Sequence, residues 1–481
     1  MLEVKDLTFS YDGLTQVLGS VDFKINRGEI VTITGPTGSG KSTLAKCLSG
    51  FIPRSIKGSF TGTIMIDEED MSELSLAEIS KKVSLVQQDP DSQICTLKVA
   101  DEVAFGPENY GFELESIKNL IDSTLSEVDA THLQHRPTFA ISGGEKQRVA
   151  IASMLSCQPD YLILDEPSSS LDPKGILSLR KILSKLKARN VGVVCIEHNL
   201  EAVRPISNRI LTLSNGAISS WTFSEKPTIK DVREHPTHEN NCLLFMKNIN
   251  FSYGLRKVIQ NVELAIHKGE IIALMGANGS GKTTLVSLLG GLLTPDTGEI
   301  FLEKAPIRGM SRKEITKNLS IVFQNPNHQI FERTVWREQN LTIDILGHQS
   351  SEDYQRATAL LEDADLATMK ERNPFSLSHG QKRRLNVSSV SVHSPHILLF
   401  DEPFIGQDFD GRNFILNILI NTATNGGASL VVTHDSNFAK NHCDRVIFME
   451  NGSILLDGPP ETVFKRLIEM NRAEFVSLEV K

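Results

Sequence analysis

Two stretches of this chain could grip phosphates: Gly35-Pro36-Thr37-Gly38-Ser39-Gly40-Lys41-Ser42-Thr43 and Gly276-Ala277-Asn278-Gly279-Ser280-Gly281-Lys282-Thr283-Thr284. Glycines at this spacing let a backbone wrap phosphate oxygens with its N–H groups. Lys41 or Lys282 would reach the β- and γ-phosphates, and the hydroxyl of Ser42 or Thr283 would ligate Mg²⁺. Two apolar strands end in Asp165-Glu166-Pro167 and Asp401-Glu402-Pro403. There the Asp would hold the Mg²⁺ shell, and the Glu would orient and deprotonate an attacking water. An exposed acidic turn is the plainer reading of one such pair. Its recurrence downstream of a phosphate loop argues against that reading.

The elements that must position these groups repeat as well. Phe9-Ser10-Tyr11 returns as Phe251-Ser252-Tyr253, Gln88 as Gln324, Ser142 as Ser378 and His198 as His434, all in one order. A repeat of roughly 240 residues is too long for a solenoid and implies two copies of a whole domain. The expected division is 1–218 and 243–481, with a polar, proline-bearing linker over 219–242. The first copy carries extra residues around Ile52 to Gly58, expected as a surface loop. In each copy, short β-branched runs alternate with helical patterns, the mark of an α/β fold with a largely parallel sheet. Three of its strands, 29–34, 161–164 and 191–196, end at candidate chemistry, where open α/β sheets place ligands.

The 481 residues carry 50 Lys+Arg against 59 Asp+Glu, a net charge of −9 that disfavours nucleic acid as the main partner. Apolar runs fall short of the ~18 residues that would span a bilayer, and the N-terminus lacks the pattern of a secretory leader. Six scattered cysteines without a C-x-x-C pair fit reduced thiols, so a cytoplasmic chain is expected. His235, His238 and Cys242 read as a polar connection, His393 and His396 as surface turn residues, and Cys157 and Cys195 as small core residues.

Between loop and acid pair lie Ser142-Gly143-Gly144-Glu145-Lys146-Gln147-Arg148 and Ser378-His379-Gly380-Gln381-Lys382-Arg383-Arg384. These resemble the signature sequence of the ATP-binding-cassette superfamily. The resemblance extends over nearly all of both halves and takes in Gln88 and Gln324, His198 and His434, and Tyr11 and Tyr253. It implies two tandem cassettes, each a RecA-like phosphate-loop core sheet with an antiparallel β subdomain and a helical signature subdomain. It further implies a head-to-tail pseudo-dimer of the halves with two ATPs between them. One site would pair Lys41, Asp165, Glu166 and His198 with Ser378, Gly380 and Gln381. The other would pair Lys282, Asp401, Glu402 and His434 with Ser142, Gly144 and Glu145. By the same resemblance Tyr11 and Tyr253 stack on adenine, Gln88 and Gln324 join the Mg²⁺ shell near the attacking water, and Thr43 and Thr284 complete the loops. His379 departs from the family's first signature Gly, and Gly406-Gln407-Asp408 departs from Ser170-Leu171-Asp172. Both glutamates are kept, so both sites are expected to hydrolyse ATP.

Three uses of such a motor are open: a transporter with separate membrane subunits, a soluble tandem ATPase of translation or repair, and a tandem sugar-importer ATPase. Gln88 to Gln93, Gln324 to Gln329, Asp101 to Asn109 and Leu456 to Phe464 resemble segments of energy-coupling-factor transporter ATPases. That resemblance implies a transmembrane coupling subunit, a substrate-capturing membrane protein, a place on the cytoplasmic face of the membrane, and cargo such as a vitamin, a vitamin precursor or a metal ion. Segments 97–110 and 334–346, including Glu102 and Arg337, are expected to carry the membrane-subunit contact.

Overall fold

The computed structural model describes residues 1–169, 171–221, 241–347 and 350–476. The chain divides into two compact units, Met1–Glu225 and Lys226–Lys481. The first contains β1 (Leu2–Ser10), β2 (Gln16–Ile25), β3 (Ile30–Thr34), β4 (Ser59–Ile66), β5 (Glu69–Asp70), β6 (Val83–Val86), β7 (Tyr161–Asp165), β8 (Gly192–Ile196), β9 (Arg209–Ser214) and β10 (Ala217–Ser220). In β2, Leu18, Val21, Phe23 and Ile25 are buried while Ser20, Asp22 and Lys24 face outward. That period of two belongs to a sheet with one wet face, and β2-β1-β4-β5 form such an antiparallel sheet.

The second sheet follows the order β10-β9-β3-β8-β7-β6 and is parallel except at the β9–β10 edge. Its central strands β7 and β8 are buried along their whole length. Such strands read as unbroken apolar runs because both faces are covered. One face packs Ile33, Ile163 and Ile196 against Leu44 and Leu48. The other packs Ile30, Leu162 and Val193 against Val149, Ile182 and Leu186.

The second unit repeats the plan with β11 (Cys242–Tyr253), β12 (Arg256–His267), β13 (Ile271–Gly276), β14 (Thr297–Leu302), β15 (Ala305–Pro306), β16 (Leu319–Val322), β17 (Ile397–Asp401), β18 (Ala428–Val432), β19 (Arg445–Glu450) and β20 (Ser453–Gly458). Its sheets run β12-β11-β14-β15 and β16-β17-β18-β13-β19-β20. In both units the core strands deliver phosphate loop, acid pair and histidine to one sheet edge, since Ile33 and Asp165 both register with Ile196 and Leu274 and Asp401 both with Val432. Each unit adds a helical part, Val99–Asn109, Leu114–Glu127 and Gly143–Leu155 in the first, and Val335–Leu346, Ser351–Asp363 and His379–Ser391 in the second.

Some local expectations change. The extra residues of the first copy begin with a helical turn, Phe51–Arg54, rather than a plain surface loop. Ile52 is buried in the core and Arg54 donates to the carbonyls of Met71 and Leu74. His393 is not a surface residue but is buried, 2.8 Å from the Thr316 carbonyl, whereas His396 is exposed beside Glu303. Of the expected linker, 222–240 lies outside the described residues, and His235 and His238 with it. Ser219 and Ser220 pair with Thr212 and Leu211 in the first unit, and Cys242 opens β11.

Candidate active site

In each unit the core strand breaks into a glycine loop that no other residue type could follow. Gly35 has φ 155, and a Cβ there would lie 2.0 Å from the Leu213 carbonyl oxygen. Gly276 meets Met449 O at 2.2 Å in the same way. Gly40 and Gly281 stand in left-handed backbone at the start of the helices Lys41–Leu48 and Lys282–Leu289, which have no acidic residue in the first turn. Their N-terminal N–H groups therefore keep their positive field for an anion. Gly38 and Gly279 face open space, with nothing within 4 Å of a built Cβ.

Buried side chains complete the cradle. Lys41 Nζ donates to the carbonyls of Gly35 at 2.9 Å and Pro36 at 2.7 Å, and Lys282 Nζ to those of Gly276 at 2.8 Å and Ala277 at 3.0 Å. Each ammonium is thus curled into its own loop. Ser39 Oγ and Ser280 Oγ are buried without a hydrogen-bond partner, as expected of groups built for a phosphate. Thr43 sits behind the loop, its Oγ1 3.1 Å from the Tyr11 hydroxyl. Tyr11 and Tyr253 are about half exposed, each edge-on to a phenylalanine, and offer a ring face to a flat ligand.

Asp165 is buried at the end of β7, and its Oδ1 lacks a hydrogen-bond partner. Burial and the neighbouring Glu166 charge push its carboxyl up to about 6, opposed by the Ser42 hydroxyl and Lys41. Asp401 is shifted upward too by burial, opposed by Thr283, Lys282 and Arg383. An orphaned carboxylate oxygen beside a hydroxyl fits one side of a divalent cation's shell. Among the described residues no group of three or more His, Cys, Asp or Glu side chains could hold a metal ion alone, so a cation here would need further oxygen ligands such as hydroxyls, water or phosphate.

Glu166 and Glu402 both adopt left-handed backbone, with φ 50 and 51, a strain characteristic of functional positions. Glu166 Oε1 lies 3.4 Å from His198 Nε2, and its Oε2 accepts from Gln88 Nε2 at 2.7 Å. Glu402 Oε1 lies 3.3 Å from His434 Nε2, which is also 3.2 Å from Asn278 Oδ1. Burial and Asp401 push the Glu402 carboxyl up to about 8. Burial thus raises the basicity of the Glu402 carboxylate, and its ionised form is the one that would accept a proton from water. Gln324 departs from its counterpart: its side chain is exposed, and its carbonyl accepts from Arg383.

Ser142 and Ser378 cap the helices Gly143–Leu155 and His379–Ser391, each in a reciprocal capping box with Glu145 or Gln381. His379 takes the first helical position, and Gly380 offers its carbonyl to Gln407 Nε2 at 3.1 Å. In the first unit apolar Leu171 packs near Gly144 instead. Ser170 lies outside the described residues.

A family model described as ABC transporter matches residues 18–169 and 259–405. The chain belongs to the ABC transporter family. As a member it is an ATP-binding, ATP-hydrolysing protein, with two cassettes in tandem. This ABC ATPase is 30% identical to the Bacillus subtilis protein named "Putative HMP/thiamine import ATP-binding protein YkoD", over 97% of this chain and 93% of that one. It is also 30% identical to a "Putative ABC transporter ATP-binding protein" of Methanosarcina acetivorans, over 98% and 88% of the two chains. Among solved structures, cbiO1 from Clostridium perfringens, part of the ABC transporter complex cbiONQ, matches with 28% identity and a TM-score of 0.41, covering 49% of this chain and 98% of that one.

Three site-building residues of this ABC ATPase carried no role in the sequence. Glu197 is buried behind Glu166 and accepts from the backbone of Ser168 at 3.2 Å, His198 at 3.0 Å and Asn199 at 3.2 Å. Gln93 and Gln329 close the glutamine loops, each accepting from one loop N–H and donating to a β-strand carbonyl. Glu102, expected at a partner surface, is buried and accepts from Cys95 and Thr96 N–H at 3.0 and 2.9 Å. Glu338 does the same for Phe331 and Glu332. Charge reversal at Glu102 would break a loop, not an interface. Arg337 is exposed, paired with Glu332 at 3.0 Å.

Proposed function

We propose that this ABC ATPase is the fused two-cassette motor of an importer of the energy-coupling-factor type. The observation that carries the reading is that a single chain holds two complete sets of phosphate loop, acid pair and histidine while aligning along 97% of its length with a protein named for import. None of its described helices is long and apolar enough to cross a membrane. Transport would then fall to a transmembrane coupling subunit and a substrate-capturing membrane protein, with this chain on the cytoplasmic face. The relative's name makes thiamine and its HMP precursor the first cargo to test, within the wider class of vitamins, precursors and metal ions.

In this reading the two loops bind ATP through Gly35, Gly38, Gly40, Lys41 and Thr43, and through Gly276, Gly279, Gly281, Lys282 and Thr284. Tyr11 and Tyr253 hold the adenine. Mg²⁺, when bound by Ser42, Asp165 and Gln88, or by Thr283, Asp401 and Gln324, supplies charge that neutralises the phosphates. Glu166 or Glu402 takes the proton of the attacking water, and His198 or His434 holds that carboxylate. Ser142 with Gly144, and Ser378 with Gly380, present helix N-termini suited to the γ-phosphate bound by the other unit. ATP then joins the halves, and its hydrolysis releases them.

The deciding experiment is purification of the tagged chain from its native membrane in mild detergent. Recovery with a polytopic membrane protein is expected. Recovery with ribosomes instead would overturn the proposal in favour of a translation role.

A further inference from the structure

The second glutamine loop is held by side chains that the first lacks. Arg383 is fully buried in the helix His379–Ser391, and its guanidinium donates to the carbonyls of Phe323 and Gln324. Asn386 Nδ2 donates to Pro326 O at 2.9 Å, and Lys382 Nζ to Asn327 Oδ1 at 3.0 Å. In the first unit the matching residues are Lys146, Gln147 and Ala150. Lys146 keeps an ion pair with Asp91, but Gln147 is buried with Nε2 lacking a hydrogen-bond partner, and Ala150 has no polar atom to offer.

A guanidinium is costly to bury unless acceptors meet it in its own plane. Here two loop carbonyls do so, and Asp401 and Glu402 oppose the desolvation in part, which still leaves the guanidinium below its ordinary proton affinity. Replacing Gln by Arg at this register therefore fixes the loop backbone to the helix. We propose that Arg383 and Asn386 are positioning residues that clamp the second glutamine loop to the signature helix of its own unit, so that loop backbone and helix are coupled more tightly there than in the first unit, where the Lys146–Asp91 ion pair joins them. Only the kinetic consequence rests on assigning Gln324 to a nucleotide site.

Hydrogen–deuterium exchange on the full chain tests the clamp, with thermal melting as the check on folding. The variant R383Q/N386A gives the second unit the residue types of the first. Exchange in peptides covering 320–330 should accelerate roughly tenfold, R383K should fall between, and kcat should drop about threefold with KM for ATP within about twofold. The reciprocal variant Q147R/A150N should slow exchange over 84–94. Unchanged exchange over 320–330 in a folded R383Q/N386A overturns the clamp, as does a raised KM at constant kcat, which would place Arg383 in nucleotide binding. Should that variant not fold, unchanged exchange over 84–94 in the reciprocal variant overturns it. Faster loop exchange with kcat and KM both unaltered supports the clamp and removes Gln324 from the nucleotide site.

Discussion

Gln88 donates its side-chain amide to Glu166 Oε2 at 2.7 Å, although the two residues lie on separate strand ends. With His198 3.4 Å from the other oxygen, the first carboxylate is oriented at both ends. Glu402 has the histidine, whereas Gln324 is exposed and its carbonyl accepts from Arg383. The two cassettes share a motif list and differ in how it is assembled. Gln88→Ala should therefore reduce steady-state ATP turnover more than Gln324→Ala. Equal losses, or the reverse order, would contradict this ranking.

Glu166→Gln and Glu402→Gln should each stop hydrolysis at their own site and lower total turnover about twofold or more at saturating ATP, with nucleotide still bound, because the amide cannot accept the proton of water. Turnover equal to wild type in either variant would remove that glutamate from catalysis.

The glycines of the phosphate loop should separate stability from binding. Gly35→Ala drives a Cβ against the Leu213 carbonyl and should lower stability by about 3 kcal/mol or more, seen as a lowered Tm. Gly38→Ala meets no atom within 4 Å and pays only for its positive φ, about 1 kcal/mol. It should melt near wild type yet bind ATP weakly, since the methyl group projects into the space left for phosphate. Equilibrium binding alongside melting curves checks both halves of the contrast.

Phosphate loops, acid pairs and signature caps were legible because each is a run of neighbours whose chemistry needs that order. The unbroken apolar runs of β7 and β8 announced their sheet for the same local reason, whereas the antiparallel sheet of β2 followed only from the family resemblance. Glu102, Glu197 and Arg383 were not legible, because their meaning lies in backbone groups brought near by the fold. Glu102 looked like surface charge on a helix, and only burial beside Cys95 and Thr96 N–H shows it to be a loop anchor. For Arg383 a signal existed in the repeat itself, where a buried position changes from Gln to Arg between copies. The same comparison sets Glu197 against Thr433.

That last exchange carries a pH signature. Burial, then the charge of Glu166, pushes the Glu197 carboxyl up to about 7 from its ordinary 4.5. Between those values the folded protein holds a proton that the unfolded chain has released, so this group's contribution to stability falls as pH rises through the window. Below 4.5 the carboxyl is protonated in both states and contributes nothing; above 7 the cost is complete, at most about 3 kcal/mol. Glu197→Gln keeps one oxygen, enough for the His198 and Asn199 N–H groups but not also for that of Ser168, and cannot ionise. In nucleotide-free protein its Tm should match wild type near pH 4.5 and rise above it by pH 8. Parallel Tm curves across that range would show that Glu197 does not titrate there, while a Tm for Glu197→Gln below wild type at pH 8 would show that the charged carboxylate is the better partner for those three donors.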